Sequence, residues 1–260
     1  MLINIESVDN SRLKLVRKLA NRKFRDSERK YVIEGINLVT EAVERMIDIE
    51  FILISEDYNN EEFVMYTAKN HTVCKVSSDV FNRLTDAGAG VGIIAVVNRP
   101  EVLTNVESLV SKDTNILILD RVQDPGNIGT MIRTAAATGY GLIIAVKGTA
   151  DVYCPKVLRA TAGAIFKVPI IYTDRISDIV DILKKNGRKV VVTVPDGAKN
   201  YYDEDLSKGI ALVIGNEGNG ISEEVMNLAD VKITIPMEGK TESLNAAVSA
   251  AILMYETIRR

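Results

Sequence analysis

The sequence predicts a two-part α/β protein: a C-terminal, mainly parallel sheet with helices on both faces, preceded by a smaller α/β module. Three observations predict it. From Asn115 onward, short apolar runs alternate with helix-length segments, the pattern of strands buried on both faces. The triplet Asn98-Arg99-Pro100 interrupts an earlier, shorter series of the same kind. Finally, 260 residues, 47% hydrophobic and 26% charged, suit two cored domains rather than a disordered chain.

The elements follow in order. Leu13, Val16, Leu19 and Ala20 recur at helical spacing. The surrounding residues 1–30 carry nine Lys or Arg against four acids, although the whole chain has a net charge of −3. That imbalance is an electrostatic footprint for RNA or DNA phosphates, and a solvated helix would show it too. Arg12, Lys14, Arg22, Lys23 and Arg25 are the candidate contacts. Ile36, Val39, Ala42, Val43 and Met46 line one face of the next helix. Strands are expected at 49–54, 73–76 and 93–97, with helices at 61–69 and 80–84 between them. This gives a first domain over 1–98, a linker with a short helix over 99–114, and a second domain over 115–260. In the second domain, strands are expected at 116–119, 142–146, 190–194, 211–214 and 231–235. Helices are expected at 127–138, 178–186 and 223–228, with a further helix possible at 156–162 and a long terminal one at 242–258.

Composition narrows the chemistry. Two cysteines, Cys74 and Cys154, exclude a disulfide framework and a four-thiolate zinc site. A single histidine, His71, argues against a histidine-ligated metal, and no metal is expected. These three residues read as structural or incidental. No apolar run is long enough to span a membrane, and Met1 leads into Asn4, Glu6 and Asp9 rather than a signal peptide. A cytoplasmic setting is the expectation.

The nucleotide-binding loops of α/β proteins fit poorly. After the first strand of the second domain, only Gly126 and Gly129 stand where a dinucleotide fingerprint needs three glycines. Gly239-Lys240-Thr241 has Thr234 where a phosphate-binding loop needs its first glycine. The glycine-rich element that stands out is Ile214-Gly215-Asn216-Glu217-Gly218-Asn219-Gly220-Ile221-Ser222. Two more strand ends, Thr193-Val194-Pro195-Asp196-Gly197 and Ile235-Pro236-Met237-Glu238-Gly239, carry Gly, Pro and small polar residues. Ligands of open α/β sheets bind outside the carboxyl ends of strands, so these loops suggest one composite pocket. The polar loop Gln123-Asp124-Pro125-Gly126-Asn127-Ile128-Gly129-Thr130, followed by Arg133, adds a fourth wall.

Together these loops resemble the SPOUT-class RNA 2′-O-ribose methyltransferases of the SpoU/TrmH family. Asn127-Ile128-Gly129-Thr130-Met131-Ile132-Arg133 matches its first motif and Ile214-Gly215-Asn216-Glu217-Gly218 its second. Ile235-Pro236-Met237 through Ser243-Leu244-Asn245 matches the third. The N-terminal module is similar to the small, ribosomal-protein-like substrate-binding domain often fused to these enzymes. Tyr31-Val32-Ile33-Glu34-Gly35 matches its opening, and Ala89-Gly90-Val91 departs from its usual Pro-Gln before Gly92-Ile93.

The resemblance implies a deep C-terminal trefoil knot that clasps S-adenosylmethionine. Thr193, Ile214, Gly215, Asn216, Gly218, Ile235, Met237 and Leu244 would hold the cofactor. The implied reaction methylates a ribose 2′-hydroxyl of rRNA, or of tRNA. Arg133 would be the central side chain. A guanidinium keeps its proton in proteins, so its expected role is binding the adjacent phosphate and stabilising alkoxide charge. A phosphate oxygen or water would take the proton. Asn127 would orient Arg133 or the ribose, Glu217 would hold Arg133 or neighbouring main chain, and Ser243 and Asn245 would complete the polar wall. Arg159 would sit near the RNA. The terminal segment is apolar nearly all round, with Leu244, Ala247, Val248, Ala251, Ile252 and Tyr255 on one stripe, and the resemblance implies a homodimer through it. The competing reading is a ribosome-associated RNA-binding protein with the same fold and no catalysis.

Overall fold

A computed structural model describes residues 1–85, 92–100, 106–110, 113–195, 198–239 and 243–259. The departure at 89–91, Asp196-Gly197, and the start of the expected terminal helix at 242 lie outside the described residues. By compactness the chain divides into two units, Met1–Glu101 with Tyr153–Phe166, and Val102–Val152 with Lys167–Arg260.

The first unit runs β1 (Leu2–Asn4), α1 (Ser11–Leu19), α2 (Arg22–Glu28), β2 (Lys30–Glu34), α3 (Ile36–Glu44), β3 (Ile49–Ser55), α4 (Glu61–Thr67), β4 (Val73–Val76), α5 (Ser78–Asn82) and β5 (Ile93–Asn98). Asparagines punctuate its basic start. Asn10 accepts the N–H of Arg12 and Asn21 that of Lys23, so the basic run folds as two capped helices. The sheet order is β1-β4-β3-β5-β2, with β1, β4 and β3 parallel and β5 antiparallel to both its neighbours. Leu13, Val16 and Leu19 of α1 pack on Phe51, Leu53, Cys74 and Val96 of the sheet. Strands β1 and β2 at the edges were not anticipated. One is three residues long, and the other is flanked by Lys30 and Glu34.

The second unit begins with α6 (Val106–Val110), β6 (Ile116–Leu119), α7 (Pro125–Ala137) and β7 (Leu142–Val146). The next helix, α8 (Pro155–Thr161), belongs to the first unit, where it packs on β2. The chain continues with β8 (Ile170–Thr173), α9 (Ser177–Lys185), β9 (Lys189–Thr193), β10 (Lys199–Asn200), β11 (Ile210–Ile214), α10 (Glu223–Leu228), β12 (Val231–Thr234) and α11 (Ala246–Glu256). The seven strands are parallel, in the order β10-β12-β9-β11-β6-β7-β8. One face, with Ile116, Ile118, Ile144, Val190, Val192 and Val213, meets Ile179, Val180 and Leu183 of α9 and Val225 of α10. Alternation sends Leu117, Leu119, Ile143, Val191, Leu212 and Ile214 to the other face, where they are buried as well. Helices α7 and α11 pack on each other and bury Ile128, Met131, Ile132, Ala250, Leu253 and Met254.

Two expectations need correction. Strands β8 and β10 lie outside the expected set, because each is short and carries polar residues. The terminal helix starts at Ala246, since the Asn245 side chain accepts the N–H groups of Ala247 and Val248 and caps it there. For the site, the decisive feature is register. Val192 of β9 pairs with Val213 of β11 and Lys232 of β12, and Ile214 pairs with Leu119 of β6. The carboxyl ends of β12, β9, β11 and β6 therefore stand level and side by side.

Candidate functional site

The loop after β6 is built by its own sequence. Asp124 accepts the N–H of Asn127 at 2.8 Å and caps α7, and Pro125 follows in the first turn, where no N–H is missed. Behind it, Asp120 is buried and uses one carboxylate oxygen to accept the N–H of Ser222 at 2.6 Å. That bond ties β6 to the start of α10 across the glycine-rich loop.

Within that loop, Asn216 and Gly220 pair in a small antiparallel bridge, closed by reciprocal main-chain bonds of 3.0 and 2.9 Å. The Asn216 side chain accepts the N–H groups of Gly218 and Asn219 and donates to the carbonyl of Arg121 at 2.9 Å. Gly215 has no alternative, because a Cβ there would overlap the backbone of Gly220 and Ile221. Gly218 is different: a Cβ would find only Asn216 Oδ1, 3.7 Å away.

Three loops distant in sequence meet through one relay of side chains. Asn245 Nδ2 donates to Asn127 Oδ1 at 3.0 Å, and Asn127 Nδ2 donates to Glu217 Oε1 at 3.0 Å. Glu217 also accepts the N–H groups of Gln123 and Asp124, each at 3.0 Å. Partial burial pushes the Glu217 carboxyl up, but the bonds from Asn127, Gln123 and Asp124 outweigh it and hold the group below the ordinary glutamate range. Glu217 is therefore a carboxylate at neutral pH, and Asn127 is fixed at both ends of its amide.

Of the residues expected to act together, Asn127, Glu217 and Asn245 are joined directly. Glu217 holds main chain rather than Arg133. Arg133 lies on α7 roughly 12 Å along the axis from Pro125; it is exposed and has no polar partner among the described residues. Ser243 is exposed beside Asn245.

The residues expected to hold a cofactor fall on three neighbouring strand ends, except Leu244, which stands just before α11. Thr193 closes β9, Ile214 closes β11, and Ile235 follows β12. Ile214 and Gly215 are buried, Thr193, Asn216, Ile235 and Leu244 half-buried, and Gly218 and Met237 exposed. They offer apolar side chains next to accessible main chain, which is the donor set an adenosine-bearing ligand requires.

The basic helices divide. Arg25 is buried and donates to the carbonyls of Leu19 and Ala20 at 2.7 Å, so it closes the end of α1 instead of facing a ligand. Lys14 pairs with Asp9 at 3.1 Å, Arg22 with Asp26 at 3.6 Å and Arg159 with Glu34 at 3.8 Å. Arg12 lies over the Phe51 ring, and Lys23 is exposed. Sequence reasoning took Gln123 and Asp124 only as members of a polar loop and overlooked Asp120 and Arg121. For Asp124 a signal existed, since Asp-Pro ahead of an apolar periodic run marks a helix start. The bonds that join Asp120 to Ser222, Arg121 to Asn216 and Gln123 to Glu217 span 94 to 102 residues and leave no local pattern.

Residues 114–255 match the SpoU rRNA Methylase family, and residues 10–95 match the MRM3-like substrate binding domain. The chain is 35% identical, over 96% of its length and 97% of the relative's, to the 23S rRNA (guanosine(2553)-2'-O)-methyltransferase RlmP of Bacillus subtilis. The AdoMet-bound rRNA methyltransferase of Sinorhizobium meliloti superposes with a TM-score of 0.87 at 29% identity, covering 98% of this chain and 97% of that one. The SpoU methyltransferase AviRb of Streptomyces viridochromogenes, in complex with AdoMet, gives 0.84 at 25% identity, covering 96% and 98%.

Proposed function

This chain belongs to the SpoU rRNA methylase family, and from that premise we propose how its own residues divide the work of methylating RNA. It is an S-adenosylmethionine-dependent methyltransferase that acts on a ribose 2′-hydroxyl of rRNA. When bound, the cofactor supplies a methyl group already activated for transfer. Ile214, Ile235, Met237 and Leu244 would flank its adenine, and the main chain at Thr193, Gly215, Asn216 and Gly218 would take its polar atoms. Arg133, exposed and without a polar partner among the described residues, would bind the phosphate next to the reacting ribose. It would also stabilise the oxyanion as the 2′-hydroxyl loses its proton. The guanidinium stays protonated, so the proton passes to a phosphate oxygen or to water. Asn127, locked between Asn245 and Glu217, and Ser243 would fix the ribose.

The observation that carries this reading is the Asn245–Asn127–Glu217 relay, which joins the loops of all three motifs at the carboxyl ends of the central strands. The experiment is incubation of the purified protein with methyl-labelled cofactor and either 23S rRNA or tRNA transcripts, followed by nucleoside mapping. Labelled 2′-O-methylnucleoside in 23S rRNA is expected, and the guanosine matching the one in the RlmP name is the first position to inspect. Label confined to a base, or to tRNA, would overturn it.

Three further assignments belong to the same reading. The first unit would present the RNA, since its residues 10–95 match a substrate-binding domain. The C-terminal path would be knotted. Strand β11 lies between β9 and β6, and the chain leaving β12 must pass the ends of β9 and β11 to bring Asn245 back to Asn127 on α7. A crystal structure traced through 235–245 tests the threading. The protein would act as a homodimer in the cytoplasm. Among the described residues no helix is long and apolar enough to cross a membrane.

A further inference from the structure

Arg121 stands two residues after the end of β6 with φ of +60°, a left-handed backbone that glycine adopts freely and a bulky side chain does not. The structure pins it from several sides. Its carbonyl accepts from Asn216 Nδ2 at 2.9 Å. Its Nε donates to Asp120 Oδ1 at 3.2 Å, and the side chain of Asp120 is only 2% exposed. Its aliphatic stem lies over Gly148, where an added Cβ would come within 3.0 Å of Arg121 Cγ. The strand end beneath it is bolted to the loop after β7. Thr149 Oγ1 donates to the carbonyl of Leu119 at 2.9 Å, and the Ala150 N–H donates to that of Val122 at 2.9 Å.

This arrangement uses one donor edge of the guanidinium and leaves the other. Nη1 and Nη2 have no partner among the described residues, and the side chain is 40% exposed. A fixed guanidinium with both terminal nitrogens free matches a phosphate in bidentate geometry. The setting needs such a cation. Asp120, Asp124 and Glu217 put three carboxyl groups around this loop, and between residues 120 and 133 the only basic side chains are Arg121 and Arg133.

We propose that Arg121 is an RNA contact, holding a backbone phosphate beside the target nucleotide through Nη1 and Nη2 while Asp120 fixes its orientation. The proposal rests on the methyltransferase reading above. It explains why a bulky residue occupies a glycine-like conformation: the ion pair with Asp120 aims a side chain that glycine would lack.

Arg121→Asn tests it, because asparagine tolerates positive φ and removes the charge. The full-length variant should keep its melting temperature and its calorimetric affinity for S-adenosylmethionine. Its KM for rRNA should rise about tenfold with kcat changed less than about twofold, and the salt slope of RNA binding should fall by about one. Arg121→Lys should recover part of the KM loss and the full salt slope, since it restores charge without the fork. An unchanged KM and salt slope in Arg121→Asn would overturn the proposal. So would a loss of cofactor affinity or melting temperature that matches the activity loss, which would make Arg121 a structural prop. If the wild-type protein itself methylates no RNA, the functional reading fails instead.

Discussion

Glu217 shows how one side chain can tie two loops together. Its two oxygens accept from Asn127, Gln123 and Asp124, so the carboxylate fixes both a loop and the Asn127 amide. Glu217→Gln keeps the shape but turns an NH2 group against those donors. The expected cost is about 1 kcal/mol, at the low end for a charged acceptor because the residue is exposed. The pH dependence has a definite sign. The native carboxyl sits below its ordinary value of 4.5, so its stabilisation is complete above that pH and fades as pH falls through the lower native value. The difference in melting temperature between wild type and Glu217→Gln should therefore be widest near pH 7 and shrink below pH of about 4. A gap that stays constant with pH would contradict the hydrogen-bond account. Arg133 behaves oppositely, having no internal partner among the described residues to lose. Arg133→Ala should leave melting temperature and cofactor affinity unchanged, while single-turnover methylation drops by roughly a hundredfold or more.

At the level of elements, α11 joins folding to chemistry through its cap. Asn245 Oδ1 accepts the first N–H groups of the helix while Nδ2 donates to Asn127. Asn245→Asp separates the two roles, since aspartate caps as well but cannot donate to Asn127. The Asn127 amide cannot compensate by flipping, because its oxygen would then face Glu217. Melting temperature should hold, and kcat should fall about tenfold or more. In the glycine-rich loop, Gly215→Ala should destabilise the fold by about 1–3 kcal/mol through backbone overlap. Gly218→Ala has room in the folded chain, so any loss of calorimetric cofactor affinity there would report a ligand's close approach. These elements also show what the sequence reveals. The parallel strands were legible because buried strands are continuous apolar runs, and α7 because its apolar residues recur at helical spacing, although its cap at Asp124 and its start at Pro125 lie ahead of the expected Asn127. Strand β8 was not, being four residues with Tyr172 exposed and Thr173 at its end. Nor was the start of α11, where Asn245 takes the first N–H groups of the helix after the polar run ending in Ser243. The motif residues Asn127, Glu217 and Asn245 were legible as a set. Their hydrogen-bond order was not, since it depends on β6 and β11 being neighbours although 90 residues separate Asn127 from Glu217.

For the whole molecule, the basic residues near the start and the apolar end describe two different surfaces. The overall charge of −3 conceals the first, which would meet RNA. The second follows from how α11 is used. One side buries Ala247, Ala250, Leu253 and Met254 within the second unit. The opposite side leaves Val248 47%, Tyr255 54% and Ile258 47% exposed, with Ala251 and Ile252 half-buried between them. An apolar stripe on a helix already committed to the core on its other side is where an association surface would lie. Two copies of this chain related by a twofold axis would cover it, the symmetry most homo-oligomers adopt. Sedimentation equilibrium should then give twice the chain mass for the wild type. The double variant Val248→Glu, Tyr255→Glu should sediment as a monomer that still melts cooperatively, because neither side chain is part of the buried core. A wild type that stays monomeric at every concentration would refute the dimer. If the monomeric variant keeps its cofactor affinity but loses methylation, the second copy completes the RNA site rather than the cofactor site. Loss of both would mean that the cofactor loops themselves depend on the partner helix.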